Sequence, residues 1–153
     1  MIAIVQRVTS AKVTVEKQIV GQISRGMLVL ASVETADTDA DVTWMAAKLA
    51  GLRIFQNTDA DKYFDLDVKQ ISGEILLVSN FTVAAETSKG RRPGLSGAAA
   101  PEVGRHFFEK LVAAVAALGV PVKTGRFGAE MAVELVNDGP ATFIVRSRET
   151  PGA

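Results

Sequence analysis

Three runs with strand character follow one another at the start of the chain with no helical stripe between them, and this order limits the fold more than any other feature. IAIVQRV begins at Ile2, AKVTVEKQIVGQI alternates from Ala11 after the polar pair Thr9-Ser10, and MLVLASV follows Gly26. A parallel pair needs a crossover of a dozen residues or more, so strands joined by so few residues must pair antiparallel in at least part of the sheet. MLVLASV is apolar almost without interruption, as expected of a strand covered on both faces.

From Thr38 the period changes. Val42, Met45, Ala46 and Leu49 recur three and four apart, Asp39 and Asp41 sit where a helix dipole favours acids, and Gly51 closes the segment. LRIF resumes a strand, and QNTDADKYFDLDVKQISG reads as a long polar connection with a short hairpin inside it. GEILLVSNFTV, residues 73–83, is the clearest strand. After the loop AAETSKGRRPGLSGAA a second helix opens at Pro101, carries Val103, Phe107, Phe108, Leu111, Val112, Val115 and Leu118 on one stripe, and stops at Gly119. VPVKT, AEMAVELV and ATFIVRS are read as three final strands, with NDGP a turn between the last two. The pattern β-β-β-α-β-β-α-β-β-β predicts one mixed α/β domain over residues 1–148, a partly antiparallel or barrel-like sheet with two main helices on one side. Residues 149–153, ETPGA, are expected to be a flexible tail.

The chain offers little material for side-chain catalysis. With 48% apolar residues among 153 it can build a core unaided, and with no cysteine it has no thiol nucleophile, disulfide or thiolate metal site. Its one histidine, His106, is expected on the surface of the second helix, which rules out a His-pair metal site. DTDADV and NTDADKYFDLD lack the glycine and terminal glutamate of a calcium loop, so no metal is expected, and no GxGxxG or GxxxxGK[ST] motif suggests a nucleotide cofactor. Seventeen basic and 17 acidic side chains balance, so no global field points to nucleic acid, but SKGRRP concentrates Lys89, Arg91 and Arg92 in one loop able to meet phosphates. Ser79 and Thr82 would need a base that the sequence does not supply. The N-terminus lacks the order of a signal peptide and no stretch approaches 18 charge-free apolar residues, so a cytoplasmic protein is expected, without a membrane partner.

Five stretches in order, IAIVQRVTSAKVTV, SNFTV, KGRRPGL, GRFGAEM and NDGPAT, together resemble the D-aminoacyl-tRNA deacylase family across nearly the whole chain. The resemblance implies that family's fold and a homodimer, with no cofactor and no DNA partner. The implied reaction cleaves the ester between a D-amino acid, or glycine, and the terminal adenosine of tRNA. It implies that Gly139 and Pro140 share a cis peptide bond and enter the partner's active site, where their carbonyl oxygens exclude the side chain of an L-amino acid. Ser79, Asn80, Phe81 and Thr82 would line the aminoacyl pocket and stabilise an oxyanion. Phe127, Gly128, Ala129 and Met131 would form a second wall, Arg7 would hold the Gly-Pro loop, and Asn137 would support it. Lys89, Arg91 and Arg92 would face the RNA. The terminal ribose 2′-hydroxyl would assist attack by water, so Thr82 would not be a nucleophile.

The chain departs from the family pattern at Asn80, where Gln is usual, at Gly94-Leu95 for a common Ser-Phe, at Ala141 for Val, and in KYFDLDV for a KMNLSV-like run. Two other readings stay open on the sequence: a tRNA deacylase editing L-alanine, as in the animal-type relatives, and an RNA-end-binding dimer without turnover.

Overall fold

In the computed structural model, which describes residues 1–148, the first strand is a single element. The expected tail, 149–153, lies outside the described residues. β1, Ile2–Val15, runs straight through Thr9 and Ser10, and the chain reverses only at Glu16 and Lys17, whose φ angles are 48° and 65°. The expected break at Thr9-Ser10 is instead the point where β1 changes partner. Residues 2–8 pair antiparallel with β3, Gly26–Ser32, and residues 11–15 with β2, Gln18–Ile23. Polar residues in the middle of an alternating run do not end a strand when the residues on either side of them stay paired.

The other edge of β1 is taken by β8, Ala132–Arg146, from Ile2↔Arg146 to Thr14↔Ala132. The last two expected strands are therefore also one. NDGP is a bulge within it: Gln6 faces Thr142 and Val8 faces Asn137, so residues 138–141 stand opposite Arg7 alone and project from the ladder. The Gly139–Pro140 peptide is cis.

β3 pairs in parallel with β6, Glu74–Ser79, and β6 with β7, Val122–Thr124. β2 then bends over toward β7 and almost closes a barrel. A Cβ at Gly21 would lie 2.1 Å from the Thr124 carbonyl oxygen, so only glycine allows that approach. Leu28, Leu76, Val8 and Val13, all but inaccessible, fill the barrel interior. α1, Asp39–Gly51, and α2, Pro101–Ala117, cover the outer face of β3 and β6 through Val42, Met45, Leu49, Phe108, Leu111 and Val115. Val103 and Leu118, expected on the core stripe, are exposed. β4, Phe55–Asn57, and β5, Lys62–Leu66, form a small hairpin that begins with Phe55, the only residue of the expected strand LRIF found in a strand, and otherwise lies in the polar connection, as expected. Among the described residues no helix is long and apolar enough to cross a membrane.

Asp41 does more than complement a helix dipole. It is buried, and its carboxylate accepts hydrogen bonds from the Thr38 amide and hydroxyl, both at 2.8 Å, from Ser147 Oγ at 2.7 Å and from Arg148 Nε at 2.9 Å, tying the start of α1 to the end of β8. Burial by itself would raise its pKa, but the bonds from Arg148, Ser147 and Thr38 outweigh that and hold it far below the usual carboxylate range. The folded-state pKa is depressed, so the contribution to stability is complete above the unfolded-state value of about 4 and declines as pH falls below it. Asp41→Asn should cost about 2 kcal/mol at pH 7. Urea unfolding at pH 7 and pH 3 should show the gap between wild type and variant shrinking at the lower pH.

Candidate active site

The strand reading of SNFTV holds only as far as Ser79, the last residue of β6 and the partner of Ala31. The Asn80 amide still donates to the Ala31 carbonyl at 2.8 Å, and the chain then tightens into a 3₁₀ turn over Phe81–Ala84. Asn80 causes the change. Its side-chain oxygen accepts the Thr82 amide at 3.1 Å and the Thr82 hydroxyl as well, a capping arrangement that competes with further pairing in the sheet. The Phe81 amide has no hydrogen-bond partner among the described residues, and the Phe81 side chain is 60% exposed.

Beside this turn lies a largely apolar cavity of about 620 Å3, between the mouth of the barrel and the N-terminal turn of α2. Ser79, Asn80 and Phe81 line one side, while Phe127, Gly128, Ala129 and Met131 line the opposite wall, so two motifs nearly fifty residues apart in sequence meet there. Phe127 is held from behind by Phe108, ring centroids 6.1 Å apart, and from the solvent side by the Arg105 guanidinium at 4.7 Å. Thr82 does not line the cavity. Leu30, Ala31, Ala99, Pro101 and Val133 do, and sequence reasoning missed them. They carry no chemical signal, since an apolar side chain facing a cavity reads like one facing the core. His106 is exposed on α2 and lies outside the cavity.

Arg7, Asn137, Gly139 and Pro140 form a second cluster, and none of them lines the cavity. Arg7 is 4% exposed, and its Nε donates to the Asp138 carbonyl at 2.8 Å. Asn137 Nδ2 donates to the Arg7 carbonyl at 3.0 Å and to the Ala141 carbonyl at 3.1 Å, bracing the bulge across its base. Lys89, Arg91 and Arg92 stand exposed in a loop whose base is closed by reciprocal 2.8 Å hydrogen bonds between Glu86 and Gly94. The Ser88 amide donates to the Glu86 carboxylate at 2.7 Å and holds its pKa below the ordinary value. No ion pair engages the three basic residues among the described ones, and the loop leads directly to Leu95 and Ala98 on the cavity rim.

A family model described as D-Tyr-tRNA(Tyr) deacylase matches residues 4–146. The D-aminoacyl-tRNA deacylase of Alteromonas mediterranea is 50% identical over 143 residues, 94% of this chain and 97% of its own. That of Geobacter sulfurreducens is 47% identical over 148 residues, 97% of this chain and 96% of its own. A solved structure described as c-Myc DNA Unwinding Element Binding Protein superposes with a TM-score of 0.92 at 34% identity, covering 97% of this chain and 100% of that one. Another, described as a probable eukaryotic D-amino acid tRNA deacylase, shares the fold with a TM-score of 0.79 at 18% identity over 94% of this chain and 97% of that one. Fold and relatives together define an acyl-ester hydrolase that acts on charged tRNA. The chain belongs to the D-aminoacyl-tRNA deacylase family, and its activity is D-aminoacyl-tRNA deacylation.

Ala129 lines the wall opposite Ser79 and Phe81, so Ala129→Leu should intrude on the cavity. Because small displacements of a reacting group are costly, kcat/KM on D-tyrosyl-tRNA should fall by at least about tenfold. A calorimetric scan run alongside should show the variant still folded.

Proposed function

We propose that the cavity receives the aminoacyl-adenosine end of tRNA and that Gly139–Pro140 of a second copy completes it, admitting D-amino acids and glycine and excluding L-amino acids. The observation that carries this reading is the separation of the two clusters. Arg7, which holds the bulge, pairs with Met27, whereas the cavity begins at Leu30, roughly 10 Å further along β3. The bulge is braced as a functional element would be, yet it does not line the cavity of its own chain. A homodimer in which each bulge enters the other's cavity gives both a role, and a site built from backbone rejects an L side chain sterically. Lys89, Arg91 and Arg92 meet RNA phosphates beside the cavity, and the setting is cytoplasmic, where charged tRNA is found.

In the proposed reaction water attacks the ester carbonyl carbon, and the carbonyl oxygen becomes an oxyanion. Thr82 N–H is committed to Asn80, which leaves the Phe81 amide as the donor that the turn can offer to that charge. The bond to the ribose oxygen then breaks, the amino acid keeps the water's hydroxyl, and the ribose oxygen gains its proton through the neighbouring 2′-hydroxyl. Thr82 is not the nucleophile, because its hydroxyl hydrogen is directed at the Asn80 amide oxygen, which takes up no proton at neutral pH.

Single-turnover hydrolysis of D-tyrosyl-, glycyl- and L-tyrosyl-tRNA tests the proposal. The first two should be consumed, and the L-ester should react at least about 100-fold more slowly than the D-ester. Equal D and L rates would sink the gate. Thr82→Ala should keep D-tyrosyl hydrolysis within about tenfold of wild type, whereas a tRNA ending in 2′-deoxyadenosine should lose on the order of 100-fold with either protein. Complete inactivity of a folded Thr82→Ala protein, or full activity on the deoxy substrate, would count against the mechanism.

A further inference from the structure

The β4–β5 hairpin touches neither the cavity nor the basic loop, yet it reaches the Gly139–Pro140 bulge through a chain of contacts that begins at Tyr63. We propose that Tyr63 is a positioning residue for chiral discrimination, fixing the Arg7 guanidinium that holds the bulge. The inference rests on the reading of Gly139–Pro140 as the gate.

Arg7 distributes its hydrogen bonds over three segments of chain. Nε donates to the Asp138 carbonyl at 2.8 Å, one terminal nitrogen to the Ile54 carbonyl at 2.7 Å, and the other to the Tyr63 hydroxyl at 2.7 Å. The first two acceptors are backbone oxygens, the Asp138 carboxylate adds an ion pair to Nε at 3.3 Å, and the Tyr63 hydroxyl is the side-chain hydrogen-bond acceptor that completes the fork. Three bonds in different directions fix the guanidinium plane as well as its position, and a planar, rigid fork passes that orientation to whatever it holds. The Tyr63 ring adds a stacking surface 4.7 Å from the guanidinium carbon, and the Phe64 ring lies at 5.7 Å. Phe64 in turn meets Phe143 edge-on, centroids 5.6 Å apart. The hairpin therefore grips the bulge from both sides, through Asp138 before Gly139 and through Phe143 beyond Ala141.

Tyr63 can act as a reference point because the hairpin is anchored independently of the bulge. Phe55 is fully buried in the core, and the Asp65 carboxylate accepts from Asn57 Nδ2 at 2.8 Å and from Arg53. Without the Tyr63 hydroxyl, one guanidinium nitrogen would face water while the other two bonds remained. The bulge would stay formed but hold its position less tightly. A gate that rejects one enantiomer by contact loses selectivity when it gains play, before the protein loses its fold.

The experiment measures single-turnover rates on D-tyrosyl- and L-tyrosyl-tRNA for the full-length wild type, Tyr63→Phe, Tyr63→Leu and Gly139→Ala. Gly139→Ala perturbs the gate directly, since its Cβ would lie 2.3 Å from Asn137 Oδ1 and must displace that brace. The D:L ratio should fall roughly three- to tenfold in Tyr63→Phe, the worth of one ordinary hydrogen bond, and further in Tyr63→Leu, which also loses the ring. An unchanged ratio in both Tyr63 variants, with a collapsed ratio in Gly139→Ala, would overturn the role of Tyr63 and leave the gate standing. Unchanged ratios in all three would overturn the gate and Tyr63 with it. D and L rates falling in parallel in the Tyr63 variants would mark the residue as merely structural and overturn the proposal too.

Discussion

A strand has two edges, and β1 has both of them occupied along most of its length. β8 takes one edge from Ile2 to Thr14, while the other is shared end to end by β3 and β2. Pairing on both sides of the polar middle keeps β1 continuous through the exposed Thr9 and Ser10, of which Ser10 pairs with Val136 of β8. The change of partner near Thr9 and Ser10 also turns the sheet, bringing β2 round toward β7 until Gly21 meets the Thr124 carbonyl. The barrel mouth, and with it the cavity, follows from that curvature.

The same strand separates the cavity from the bulge. One end of the β1–β3 ladder lies against the cavity, where Ala31 anchors Asn80 and the capped turn begins. Toward its middle, Arg7 stands opposite the four bulged residues of β8. Cavity and bulge are thus placed at different points of one rigid element, and under the proposed function backbone amides and carbonyls would do there the work of side chains. Such groups cannot be aimed by rotamer choice. They are aimed by the ladder, the cap and the bulge.

Much of the architecture was legible as pattern. The 3.6-residue stripe of Val42, Met45, Ala46 and Leu49 forms the buried face of α1, Pro101 opens α2, and a hairpin occupies most of its expected place in the polar connection. The errors come from one competition. Thr9-Ser10 and NDGP look like breaks but are governed by what lies across from them, whereas SNFTV looks like a strand and is cut short by a local side-chain bond. The paired residues on either side carry β1 through two polar residues and β8 through a glycine-proline bulge, whereas at Asn80 a side chain captures the Thr82 amide and ends a strand whose composition favoured continuing. Local turn chemistry and ladder pairing compete, and the sequence displays only the first.

The sequence by itself determined the class of fold and the family, because periodicity and motif order are properties of the chain alone. Only the tertiary structure decided that Ser79–Phe81 and Phe127–Met131 share a cavity, that Gly139 and Pro140 stand apart from it, and that Tyr63 closes the clamp on Arg7. Each of these is a contact between segments distant along the chain, set by strand register and barrel closure. A residue's type fixes what it can bond to, but the register decides which partner it meets.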